Sequence, residues 1–137
     1  MLTNVPLMIV PFIVYNIVGL GLITNGGAGA WDATVFSTGM ISGAQWTMTL
    51  GDLMITLGLL LLFFEIMKAT RVGADSIIDH LLSTFVFIFY LVEFLLVQSA
   101  ATSVFFILMV ITFVDVIAGF SVSIRSATRD VSVGGGY

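Results

Sequence analysis

Between Asp52 and Glu65 the chain runs for twelve residues, Leu53 to Phe64, without a charge and with only Thr56 and Gly58 interrupting large apolar side chains. That run is the middle of a longer stretch, Trp46 to Arg71, closed at its far end by Lys68 and Arg71. A helix of this length, rising about 1.5 Å per residue, crosses the roughly 30 Å hydrocarbon core of a bilayer. The rest of the chain leaves no other solvent for it: of 137 residues 59% are hydrophobic and 9% charged, and the mean hydropathy is +1.19. Soluble domains carry about 25% charged residues. The sequence therefore predicts an integral membrane protein, with the lipid bilayer as its first partner.

Three more apolar segments complete the pattern. The fold expected is all-α, a four-transmembrane-helix antiparallel bundle in a single membrane domain. Its spans fall at 6–24, 46–67, 77–97 and 103–124, with an outer loop over 25–45 and a tail over 125–137. Pro6 suits a helix start, and Pro11 is expected to kink the first turns of the first helix. Ala28-Gly29-Ala30 looks like a signal cleavage site, but no basic residue precedes the apolar run, so a retained first helix is expected. In the outer loop Trp31, Val35, Phe36 and Met40 fall near helical spacing, which points to a short interfacial helix in the headgroup layer. Trp31 and Trp46 are placed there as interfacial anchors.

All four bases follow the second and fourth spans: Lys68 and Arg71, then Arg125 and Arg129. The positive-inside rule then makes both termini cytoplasmic, in what is read as a bacterial inner membrane. Four bases within a net charge of −4 cannot provide a phosphate footprint, so no nucleic-acid partner is expected. At the cytoplasmic edge they can hold anionic lipid headgroups. Without cysteine, thiol catalysis and thiolate metal sites are excluded. One histidine, His80, with scattered acids makes no metal constellation, and no metal or cofactor is expected.

Besides Asp79, which enters the third span at its interface, four acids lie within the expected spans, where a carboxylate costs about 2.5–3.5 kcal/mol on insertion scales and so faces protein or water. Glu65, three residues before Lys68 and six before Arg71, reads as an interfacial ion pair. Asp52, flanked at i−3 and i+4 by Thr49 and Thr56, and Glu93, five residues before Gln98, lie at similar expected depths and can meet and share a proton. Asp115, midway along the fourth span, is either a relay or docking site or a neutral carboxyl bonded to a neighbouring helix. Asp52, Glu93 and Asp115 are thus the buried acids of interest, serving relay or assembly. Gly51 and Gly58 on the second helix, and Ala118 and Gly119 on the fourth, form small-residue faces for helix packing.

No nucleophile–base pair or cofactor fingerprint is present, so no enzyme is expected. The function expected is that of a non-enzymatic small membrane protein, a homo-oligomer or an accessory subunit of a larger membrane complex. The alternative is a small proton- or cation-linked transporter or channel that uses the buried carboxylates.

Overall fold

The computed structural model describes residues 5–21, 27–70 and 74–134, with the side chains of 74–76, 123 and 126–134 left out of the description. Arg71, expected beside Lys68, lies outside the described residues. Four helices carry the fold: α1 (Ile9–Gly19), α2 (Leu50–Lys68), α3 (Ala74–Leu96) and α4 (Ser103–Gly134). Three are long and apolar enough to cross a membrane: α2, α3 over Ile77–Leu96, and α4 over Ser103–Val122. The protein is accordingly read as membrane-embedded. Its α1 has eleven residues, or roughly 16 Å of helix, well short of a hydrocarbon core.

The side-chain distribution suits lipid. Leu53, Leu60, Phe63 and Phe64 on α2, Leu81, Phe85 and Phe89 on α3, and Phe113 and Ile117 on α4 all point outward. The centre of the bundle is α4, against which α2 and α3 both pack; 39% of its span is buried, against 22% and 28% for the other two. Glycine explains the close approach of α2. A Cβ on Gly51 would stand 2.6 Å from Val104 Cγ2, and one on Gly58 would stand 2.9 Å from Leu108 Cδ2. The glycine stripe is thus consumed inside the chain, where it seats α2 on α4.

Pro11 falls in the first turn of α1, where the ring displaces no intrahelical hydrogen bond. Although short, α1 makes contacts toward both ends of the bundle. At its start Leu7 N donates to Glu65 Oε1 (2.8 Å) and Tyr90 Oη to Met8 O (3.0 Å). Near its end Tyr15 Oη donates to Ser99 O (2.9 Å) and lies 2.7 Å from Thr102 Oγ1. Thr102 also caps α4 by accepting from Phe105 N. Between these ends Phe12, Tyr15, Tyr90 and Phe105 form an aromatic core with ring centroids 4.8–5.2 Å apart in the closest pairs.

The outer loop differs from expectation: its described residues hold a hairpin in place of the expected interfacial helix, and the fold is not purely helical. A 3₁₀ turn, Ala28–Asp32, is followed by an antiparallel hairpin of β1 (Thr34–Gly39) and β2 (Gln45–Thr49). Thr34, Val35, Phe36, Thr38, Trp46, Thr47 and Thr49 are β-branched or aromatic, and that content outweighs the helical spacing of four apolar residues. Gly43, at φ +91°, closes the turn in a conformation that L side chains rarely adopt, and Met40 N bonds to Ala44 O across it. Trp31 is no interfacial anchor, since it is buried and stacks on Tyr15 at 4.6 Å. Trp46 is exposed, edge-on to Phe36.

Because β2 occupies residues 45–49, α2 begins only at Leu50. Its start is a capping box: Thr49 Oγ1 accepts from Asp52 N and Asp52 Oδ2 accepts from Thr49 N. Removing the cap in Thr49→Ala is expected to cost about 1 kcal/mol, read as a lower midpoint of thermal unfolding in lipid nanodiscs. At the other end α4 continues through the expected tail to Gly134.

Candidate functional site

Each long helix carries one polar stripe at helical spacing, and the three stripes converge. On α2, Glu65 continues the seven-residue period of Gly51 and Gly58 and is buried with them. Asp79, Ser83, Val86 and Tyr90 form the buried face of α3, with His80 beside it. On α4 the buried face runs Leu108, Thr112, Asp115 and Gly119. Glu65, Asp79, His80, Ser83, Thr112 and Asp115 are all at most 5% exposed.

Lys68 organises the first half of this cluster. Its Nζ donates to Glu65 Oε1 (2.9 Å), to Asp79 Oδ1 (3.3 Å) and to Val5 O (2.9 Å). These three acceptors come from α2, α3 and the segment leading into α1. Glu65 accepts as well from Leu7 N. The ion pair expected between Glu65 and Lys68 is therefore present, with its carboxylate buried in the protein, and Asp79 is a second anion on the same cation.

Asp115 makes the second half. Ser83 lies beside its carboxyl, and Glu65, Asp79 and Lys68 are near enough to act on it electrostatically. Asp115 Oδ2 and Ser83 Oγ are both buried without a hydrogen-bond partner among the described residues. Buried polar atoms are nearly always bonded, so two unpartnered atoms on adjacent side chains are informative. His80 closes the cluster, tilted on Phe120 at 4.9 Å and in the field of Asp79, Glu65 and Lys68. A Cβ on Gly119 would meet His80 Cε1 at 3.0 Å, so glycine there makes room for the imidazole. Ala118, beside it, is half-buried.

The three acids expected to act together occupy separate settings. Asp52 is exposed and serves as a helix cap, because α2 starts at Leu50, two residues before it, rather than at Trp46, six before it. Thr56 bonds to the Asp52 backbone oxygen, not to the carboxylate. Glu93 is half-buried toward the α3–α4 turn, where Asn16 Nδ2 donates to its Oε2 (3.1 Å). Asp115 sits twelve residues into α4 from Ser103, roughly 18 Å along the helix from that turn.

Asp79 is the residue that sequence reasoning missed. Its signal was available in the spacing of Asp79, Ser83 and Tyr90, a polar line at i, i+4 and i+11 on an otherwise apolar helix. Two shallow cavities, of about 320 and 500 Å³, lie at the α3–α4 turn, lined by residues such as Phe94 and Thr102 or Gly27 and Gln98. They do not include the charge cluster. No group of three or more acidic or histidine side chains among the described residues is arranged to hold a metal ion. What the cluster can do chemically is hold and redistribute charge inside an apolar bundle. In comparisons with protein families, with curated proteins and with solved structures, nothing matches this chain.

Proposed function

We propose that this chain is a non-enzymatic subunit of a membrane assembly, built either from copies of itself or with a larger complex. The observation that carries the reading is the hairpin β1–β2. Two strands alone are marginal in water, and both of their outer edges have unpaired backbone groups. Val35, Phe36, Met40, Ile41 and Trp46 are all exposed on it, Ile41 completely. An apolar two-stranded ribbon at a membrane surface is suited to pairing with another chain or to lying in headgroups. The small-residue faces on α2 and α4, by contrast, are already filled by the chain's own side chains.

The finer topology belongs to the same reading. In this reading residues 6–24 make a fourth crossing antiparallel to α2; α1 itself is too short to cross, but its contacts run from Leu7 on Glu65 to Tyr15 on Ser99. Both termini are then cytoplasmic, on the side of Lys68 and Arg125, in a bacterial inner membrane. Arg125 is exposed and is the base offered to anionic headgroups.

One variant tests assembly and topology together. The chain has no cysteine, so Ser42→Cys places a single thiol at the hairpin tip. Expected results are disulfide-linked dimers in native membranes, labelling by an impermeant maleimide from the outer face, and native mass spectra with more than one chain. A single chain in every spectrum, together with no cross-linked product, overturns the subunit reading. Labelling only from the inner face overturns the topology.

A further inference from the structure

Among the described residues the charge cluster holds more buried acids than bases. Three carboxylates, Glu65, Asp79 and Asp115, are buried with one ammonium, Lys68, which is bonded to the first two. His80 and Ser83 from α3 and Thr112 from α4 are the other polar side chains buried with them among the described residues. Thr112 spends its hydroxyl on Leu108 O (2.9 Å), so that proton is not directed at the carboxylates. From the α1 side the groups facing the cluster are backbone ones, Leu7 N and Val5 O, and both are engaged. An extra buried anion among apolar helices costs several kcal/mol unless it is neutralised.

We propose that Asp115 and Ser83 form a proton-binding site: the Asp115 carboxylate takes up one proton from water on Oδ2 and donates it in a hydrogen bond to Ser83 Oγ. Uptake changes no other bond, and it turns Oδ2 from an unpartnered acceptor into a donor that a small side-chain rotation brings onto Ser83 Oγ, itself unpartnered. It also leaves Glu65 and Asp79 as the charged carboxylates paired with Lys68 among the described residues, at 2.9 and 3.3 Å. Loss of the proton places a third anion between α3 and α4, so that occupancy of the site controls how tightly those helices pack. The site lies within one chain and does not depend on the subunit reading.

Infrared difference spectroscopy of the full chain in lipid nanodiscs tests it. At neutral pH a carbonyl stretch of a protonated carboxyl is expected, shifted down in heavy water and lost in Asp115→Asn. Ser83→Ala is expected to keep the band and move it to higher frequency, because the hydrogen bond to Oγ is gone. The proposal is overturned by absence of the band, by its survival undiminished in Asp115→Asn, or by an unshifted band in Ser83→Ala. A band abolished by sodium or potassium ions at constant pH also overturns it, because a metal ion then takes the place of the proton. Should Asp115→Asn not fold, the shift in Ser83→Ala decides the question by itself.

Discussion

Lys68→Met is expected to destabilise the protein by about 3–5 kcal/mol, the usual cost of leaving a buried charge without its partner. The reason is not the strength of one ion pair. A pair of exposed side chains contributes at most about 1 kcal/mol, but the anions here are inaccessible: Glu65 and Asp79 side chains are 2% and 3% exposed. Methionine keeps most of the aliphatic stem, so the loss isolates the ammonium. Glu65 would retain Leu7 N, while Asp79 would lose its bond to Nζ. Thermal unfolding of wild type and variant in nanodiscs measures the effect, and an unchanged midpoint would exclude Lys68 as the organiser of the cluster. The double variant Glu65→Gln/Lys68→Met is expected to recover part of the loss, because one of the stranded charges is removed with the ammonium.

Gly51→Ile should be the second large effect, about 1–3 kcal/mol from overpacking. Even the first added carbon would lie 2.6 Å from Val104 Cγ2 and 3.1 Å from the Trp31 carbonyl oxygen. The valine is β-branched and has little freedom to turn away. The carbonyl belongs to a 3₁₀ turn held by the Trp31–Tyr15 stack at 4.6 Å, so relief would require backbone movement. Gly58→Ala makes the instructive contrast. Its added carbon would meet the ends of Leu108 and Ile111 at 2.9 and 3.4 Å, and flexible termini can retreat by tenths of an ångström. Alanine also gains about 0.5–1 kcal/mol over glycine within a helix, so the net change expected is close to zero. Thermal midpoints order the variants, and Trp31 emission reports whether the stack has opened. Equal midpoints for Gly51→Ile and wild type would show that α2 does not approach α4 as closely as described.

The two glycines and Glu65 are legible in the sequence, because residues seven apart on a helix must share a face. The same periodicity did not say what that face would meet. A groove for another subunit and a groove for α4 have the same sequence signature, and only packing within the chain distinguished them. Asp52 shows the converse problem. Its flanking threonines looked like partners at depth, yet moving the helix start to Leu50 turned one of them into a cap and brought the acid to the surface. The hairpin was hidden for a related reason: Trp31, Val35, Phe36 and Met40 satisfied a helical period while the surrounding threonines and glycines favoured strands and a turn.

By itself the sequence determined the solvent: too few charges for water, long apolar helices, and acids that must turn away from acyl chains. It also determined which residues share a helix face and that Lys68 stands within reach of Glu65, since both are local consequences of helical geometry. Tertiary structure alone decided that Lys68 also reaches Asp79, that Leu7 N reaches Glu65 58 positions away, and that Asp115 faces Ser83 rather than Glu93. Those pairings depend on how helices rotate and slide when their small residues seat, and neither hydropathy nor periodicity along one segment contains that rotation.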